Sequence, residues 1–157
     1  ELMNDCYGGA PGHPGFGHGG ALGGEELLVV ARNAARRESA ILAERIRTQM
    51  AEHAFRLEDG TVLHRTCSVG FTFYPFTPEN PDSLPWEQVL DIADHCLFAA
   101  KRGGRNAWVG LFPSEECDTA RLKATLPTGI PGLLASGDIA VATSLPDPGA
   151  LDWDLGK

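Results

Sequence analysis

The sequence predicts an α+β fold, a sheet with helices packed on it, and three observations carry that prediction. Apolar residues recur at three- and four-residue steps in two stretches, around 35–54 and 85–102. Short apolar runs lie between and beside those stretches, and Gly, Pro or Asp-Gly pairs punctuate the joins. With 157 residues, 43% hydrophobic and 22% charged, the chain is one domain's worth, enough for one real core. That apolar fraction argues against wholesale disorder.

Taken in order, residues 8–24 hold nine glycines in 17 positions and read as a loop or disordered segment. Leu27-Leu28-Val29-Val30 follows as a short buried strand. A helix is expected from about Ala35 to Ala54, with Ala43, Ile46, Met50 and Ala54 on its apolar face. Asp59-Gly60 marks a hairpin between Phe55–Leu57 and a strand from about Thr61 to Tyr74. Four prolines make 74–85 a loop. A second helix runs from Pro85, with Ser83 as candidate cap, to about Arg102. Val89, Ile92, Ala93, Cys96, Leu97 and Ala100 form its buried stripe, and Gly103-Gly104 ends it. Ala107–Leu111 closes as a strand. The domain organisation expected is 1–22 glycine-rich and disordered or disrupted, 23–112 the domain, and 113–157 an acidic extension with seven acids against three bases. In that extension, 133–145 suits one helical turn and a strand through Ile139–Val141.

Charge and cysteines exclude several function classes. A net charge of -8 argues against non-specific nucleic-acid binding, which needs clustered positive charge. No apolar run approaches the roughly 20 residues that cross a bilayer, and residues 1–30 lack a basic start followed by an apolar block; the cysteine usage makes a reducing, cytoplasmic compartment the simpler expectation. The start at Glu1 suggests a piece of something longer. Cys6, Cys67, Cys96 and Cys117 form no C-x-x-C pair, which disfavours a zinc site or redox dithiol. Cys67 and Cys96 read as small buried hydrophobes. His13 and His18, on a flexible backbone without nearby carboxylates, read as solvent-exposed rather than metal-binding.

Two clusters can carry chemistry. At Gly23-Gly24-Glu25-Glu26, adjacent glycines permit a tight turn and close approach to a phosphate, while paired carboxylates can hold a bridging divalent cation. At Lys101, Gly103, Gly104, Arg105 and Asn106, a lysine point charge and an arginine fork suit a polyphosphate. Either cluster alone has a plainer explanation, a solvated hairpin and charge complementarity at a helix C-terminus.

Their order along the chain resembles the GGDEF family, the diguanylate cyclases. The motif stands as Gly-Gly-Glu-Glu-Leu at 23–27, where the family usually ends in phenylalanine. Thr66-Cys67-Ser68-Val69-Gly70, Ala93-Asp94, Leu97-Phe98-Ala99-Ala100-Lys101 and Gly104-Arg105-Asn106 follow in the family's sequence, covering about 23–111. The resemblance implies a nucleotide-cyclase or palm-like antiparallel sheet with packed helices, incomplete at the N-terminus. It implies a homodimer that condenses two GTP molecules into cyclic di-GMP with magnesium or manganese, driven by an upstream sensor domain that would place this chain at the cytoplasmic end of a longer protein. By position, Glu25 is the metal ligand and, with Glu26, the catalytic acid pair; Gly23 and Gly24 make room for phosphates; Lys101 and Arg105 contact the triphosphate. Asp94, Ser68 and Asn106 would be structural, holding helix and strand ends.

Upstream of Gly23 the pattern breaks. Asn4-Asp5-Cys6-Tyr7-Gly8 looks like the family's guanine-reading segment, with Asn4 as the reader. The guanine-contacting aspartate is replaced by His13, the Arg-x-x-Asp product site would fall at Pro14–Gly17 and is missing, and the first-strand aspartate that binds metal is absent from this chain. Weak or no cyclase activity is expected, the alternative being a degenerate GTP-binding or protein-interaction module without turnover.

Overall fold

The computed structural model describes residues 19–23, 26–32, 34–126 and 129–154. The chain divides into two compact units, residues 1–38 and 39–157.

In the first unit, β1 (Gly19–Gly23) and β2 (Glu26–Val29) pair antiparallel, with Gly19 opposite Val29, Ala21 opposite Leu27 and Gly23 opposite Glu26. The register slips between Ala21 and Gly23. Two expectations change here. Part of the glycine-rich stretch is a strand, because a partner strand satisfies its backbone groups whatever its composition. The apolar run is not fully buried either, since Leu27 and Val29 are exposed and Leu28 and Val30 half-buried.

The second unit holds most of the helix α1 (Arg36–Glu52), a small hairpin of β3 (Ala54–Arg56) and β4 (Val62–His64), and a three-stranded sheet with its helices. Only Ala43 is buried on α1, while Ile46 and Met50 are half-buried. Ala54 belongs to β3, not to the helix. The hairpin turns at Asp59-Gly60 as expected: Asp59 Oδ1 accepts from Thr61 N at 2.8 Å, and Gly60 takes φ +84°.

The strand expected over 61–74 is two strands in two sheets. β4 ends at His64, and β5 (Val69–Phe71) pairs parallel with β6 (Trp108–Pro113), Val69 facing Trp108 and Phe71 facing Gly110. Parallel pairing needs a crossover, which α2 (Trp86–Arg102) supplies. β6 is central, and β7 (Ile139–Thr143) lies antiparallel on its other side, Leu111 opposite Val141. The α+β class with antiparallel pairs and packed helices is therefore the observed one, with one parallel seam.

Helix α2 buries Val89, Ile92, Cys96, Ala99 and Ala100, while Ala93 and Leu97 are half-buried against β5. Ser83 does not cap it. Pro85 holds the N-cap position, and the Ser83 hydroxyl is buried in a hydrogen bond with Thr77. The segment after residue 113 is folded onto the sheet: α3 (Thr119–Thr125), α4 (Ile130–Ser136) and β7 bring Leu122, Ile130, Leu133 and Ile139 into one core with Leu84, Val109 and Leu111.

Candidate functional site

Of the Gly23–Glu26 cluster the structure describes only the backbone flanks. Gly23 ends β1 and Glu26 begins β2, and the two stand opposite each other in the register. Gly24, Glu25 and Asn4 lie outside the described residues, as does the Glu26 side chain. The metal role that the resemblance implies for Glu25 and the guanine-reading role for Asn4 rest on them.

The cationic cluster is built at the C-terminal end of α2. Lys101 and Arg102 occupy the last turn, and Lys101 is half-buried. The helix ends by bonds from Gly103 N to Ala99 O (2.8 Å) and from Arg105 N to Ala100 O (3.1 Å), with Gly104 at φ +123° between them. The second bond is a six-residue closure over a glycine, a common helix stop. Arg105 (φ +61°) and Asn106 (φ +46°) continue in the left-handed region. For L-residues other than glycine this costs roughly 1–2 kcal/mol each, less for asparagine. Surrounding contacts must hold such a turn. The result presents an exposed Arg105 just beyond the helix end.

A polar network holds that turn. Arg47 Nη1 donates to Asn106 Oδ1 at 3.1 Å, and its Nε donates to Glu44 Oε2 at 3.0 Å while Nη2 donates to Oε1. The Trp108 indole N–H donates to Glu44 Oε2 at 2.9 Å, and the Thr48 hydroxyl to Oε1 at 3.2 Å. The Arg47 guanidinium, then the Trp108 indole, hold the Glu44 carboxyl at about 2, and Glu44 in turn raises Arg47. Beyond the turn, Ala107 O accepts from Val69 N at 2.9 Å, closing the join to β5. Arg102 points elsewhere, its Nη2 donating to Asp152 Oδ2 at 2.6 Å.

Of the residues expected to be structural, Asn106 does tie elements together. Asp94 does not hold an element end, being exposed at the midpoint of α2, and Ser68 is half-buried just before β5. Sequence reasoning missed Glu44, Arg47, Thr48 and Trp108. The Glu44–Arg47 spacing is visible, but it is the ordinary one for a helix surface pair. Among the described residues, no group of three or more His, Cys, Asp or Glu side chains is placed to hold a metal ion. No helix among them is long and apolar enough to cross a membrane.

The family model described as "Diguanylate cyclase, GGDEF domain" matches residues 19–107. Among curated relatives, the chain is 39% identical over 85 residues to uncharacterized protein YhcK of Bacillus subtilis, covering 54% of this chain and 22% of that protein. It is 31% identical over 84 residues to diguanylate cyclase DosC of Escherichia coli K12, covering 54% and 17%. To diguanylate cyclase A of Treponema denticola it is 33% identical over 84 residues, covering 54% and 21%. The chain thus spans about a fifth of the length of the curated relatives it matches. No solved structure matches.

Proposed function

The chain belongs to the GGDEF domain family, and from that membership we propose a diguanylate cyclase-type output domain that holds GTP through its cationic turn but turns it over poorly or not at all. The observation that carries this reading is the turn itself. Arg105 sits at a braced left-handed position directly after a helix whose last turn carries Lys101. A point charge and a planar fork at one helix end suit the β- and γ-phosphates of a triphosphate. Gly23 and Gly24 would let the hairpin backbone approach the phosphates, and Asn4 would read guanine. In the family's reaction the 3′-hydroxyl of one GTP attacks the α-phosphate of the other, releasing pyrophosphate, once from each side of a dimer.

Glu25, with Glu26 beside it, is the carboxylate this polypeptide offers to magnesium or manganese, and the described residues add no acidic cluster. His13 stands where a guanine-contacting acid would be. These departures favour GTP binding, or engagement of a protein partner, over catalysis. Within this reading the domain proper is 23–112, the working state a homodimer, the setting a cytoplasmic one, and the input an upstream sensor.

Incubation with GTP and magnesium, with cyclic di-GMP followed by chromatography, tests the catalytic part. Product at or near the background rate is expected, and turnover near a normal enzyme's rate overturns the claim of impairment. Isothermal titration with GTP tests the binding part. Measurable affinity lost on Lys101→Ala/Arg105→Ala supports it, and no heat of binding in the parent chain removes it.

A further inference from the structure

We propose that Glu44 and Arg47 of α1 are positioning residues for Arg105: their interlocked side chains clamp the turn at Arg105–Asn106 so that the Arg105 fork meets a phosphate already oriented. The proposal rests on the reading of Lys101 and Arg105 as triphosphate ligands. Its basis is the geometry of one carboxylate and one guanidinium. Both oxygens of Glu44 are occupied, by the Arg47 fork, the Thr48 hydroxyl and the Trp108 indole. Arg47 spends its remaining terminal nitrogen on Asn106 Oδ1. The pair therefore grips the chain on both sides of Ala107, at Asn106 and at Trp108.

A plain surface pair three residues apart on a helix would not need those distant partners, 59 and 64 residues along the chain. Nor is the clamped segment one that holds itself. Two successive non-glycine residues sit at positive φ, and the Asn106 side chain, which could have bonded its own backbone, is instead used by Arg47. Trp108 is anchored independently: its N–H donates to the Ser144 hydroxyl at 2.9 Å, and its carbonyl accepts from Thr143 Oγ1 at 2.8 Å. With one end of the network fixed on the sheet, Glu44 and Arg47 transmit that rigidity to the turn. Fixing a ligand-binding fork before the ligand arrives removes an ordering cost from binding.

The test is a double-mutant cycle on the whole chain, read by isothermal titration with GTP. Arg47→Met should weaken GTP binding about tenfold or more. Arg105→Ala should weaken it as well, and the double variant should be no weaker than Arg105→Ala alone, because Arg47 acts through Arg105. Additive losses overturn the proposal, since a general loss of structure would not be absorbed by removing Arg105. Glu44→Gln keeps an acceptor for the indole and should give a smaller loss in the same direction, so the cycle can be run on it where Arg47→Met fails to fold. If the parent chain shows no GTP affinity, the proposed function fails while the clamp is still decided by amide relaxation. Order parameters of Arg105 and Asn106 should fall from about 0.85 toward 0.6 in the Arg47 or Glu44 variant, with β7 unchanged. Unchanged values at the turn overturn the clamp.

Discussion

Gly70 sits where β5 crosses α2, and a Cβ built there would lie 2.2 Å from both Ala93 O and Leu97 N. Both are backbone atoms of a helix and cannot swing aside, so the strand can approach α2 this closely only without a side chain. Gly60 contrasts with it: nothing lies within 4 Å of its Cβ position, and only its φ of +84° opposes a side chain. Gly70→Ala should therefore cost about 3 kcal/mol, as overpacking does at its severe end. Gly60→Ala should cost about 1 kcal/mol. Urea midpoints distinguish these values, and equal losses would contradict the packing described. At this scale the sequence discloses chemistry better than partners. Lys101 and Arg105 stand out because glycines surround them. Glu44 and Arg47 look like any charged pair on a helix until the fold brings Asn106 and Trp108 to them.

Local signals were sufficient where one element settles its own conformation. Asp59-Gly60 turns because the Asp59 carboxylate accepts from Thr61 N, and α2 ends at Gly103-Gly104 because its last carbonyls need partners there. They failed where pairing comes from afar. Gly19–Gly23 reads as loop by composition, yet β2 recruits it. After residue 113, Leu122, Leu126, Ile130 and Leu133 keep helical steps, but Pro127, Gly129 and Pro131 interrupt them, so the sequence by itself predicts an acidic extension with one helical turn and a strand. What gathers it is polar. Asp118 caps α3 by accepting from Ala120 N and Arg121 N, while buried Asp138 accepts from Asp118 N at 3.0 Å and from the Ser136 hydroxyl and pairs with Arg121. The Ser136 hydroxyl first, then the Asp118 amide, hold the Asp138 carboxyl below its ordinary range. A depressed folded-state pKa contributes stability above the unfolded value of about 3.9 and loses it as pH falls through the lower folded value. Asp138→Asn should accordingly be less stable than the parent at pH 7, and the gap should narrow as pH drops below about 4. Urea midpoints of the two proteins from neutral to acid pH measure this, and a gap constant across that range would remove Asp138 from the account.

Five segments in order, at Gly23–Leu27, Thr66–Gly70, Ala93-Asp94, Leu97–Lys101 and Gly104–Asn106, make the family legible in the sequence, and the match over 19–107 covers nearly the same span. The arrangement of the sheet was not legible, because it depends on which strand enters between which others. β6 takes the centre with Val109 and Leu111 fully buried, and β5 pairs only with β6 among the described residues. An open strand edge is a template for pairing with another copy. Tyr74, in the loop after β5, and Trp86, the first residue of α2, stack edge to face with ring centroids 5.3 Å apart and add exposed aromatic surface. Opposing both is the net charge of -8, which makes copies repel one another. That repulsion reaches about 30 Å at 0.01 M salt and about 10 Å at 0.1 M, whereas strand pairing and apolar contact are short-ranged and little screened. Raising salt from about 0.01 M to 0.3 M should therefore increase the mass measured by light scattering, in a concentration-dependent way. A lysine at Val69, on the edge strand, should suppress the increase. A monomer mass unchanged across that range would mean that the β5 edge is covered and unavailable to a second chain.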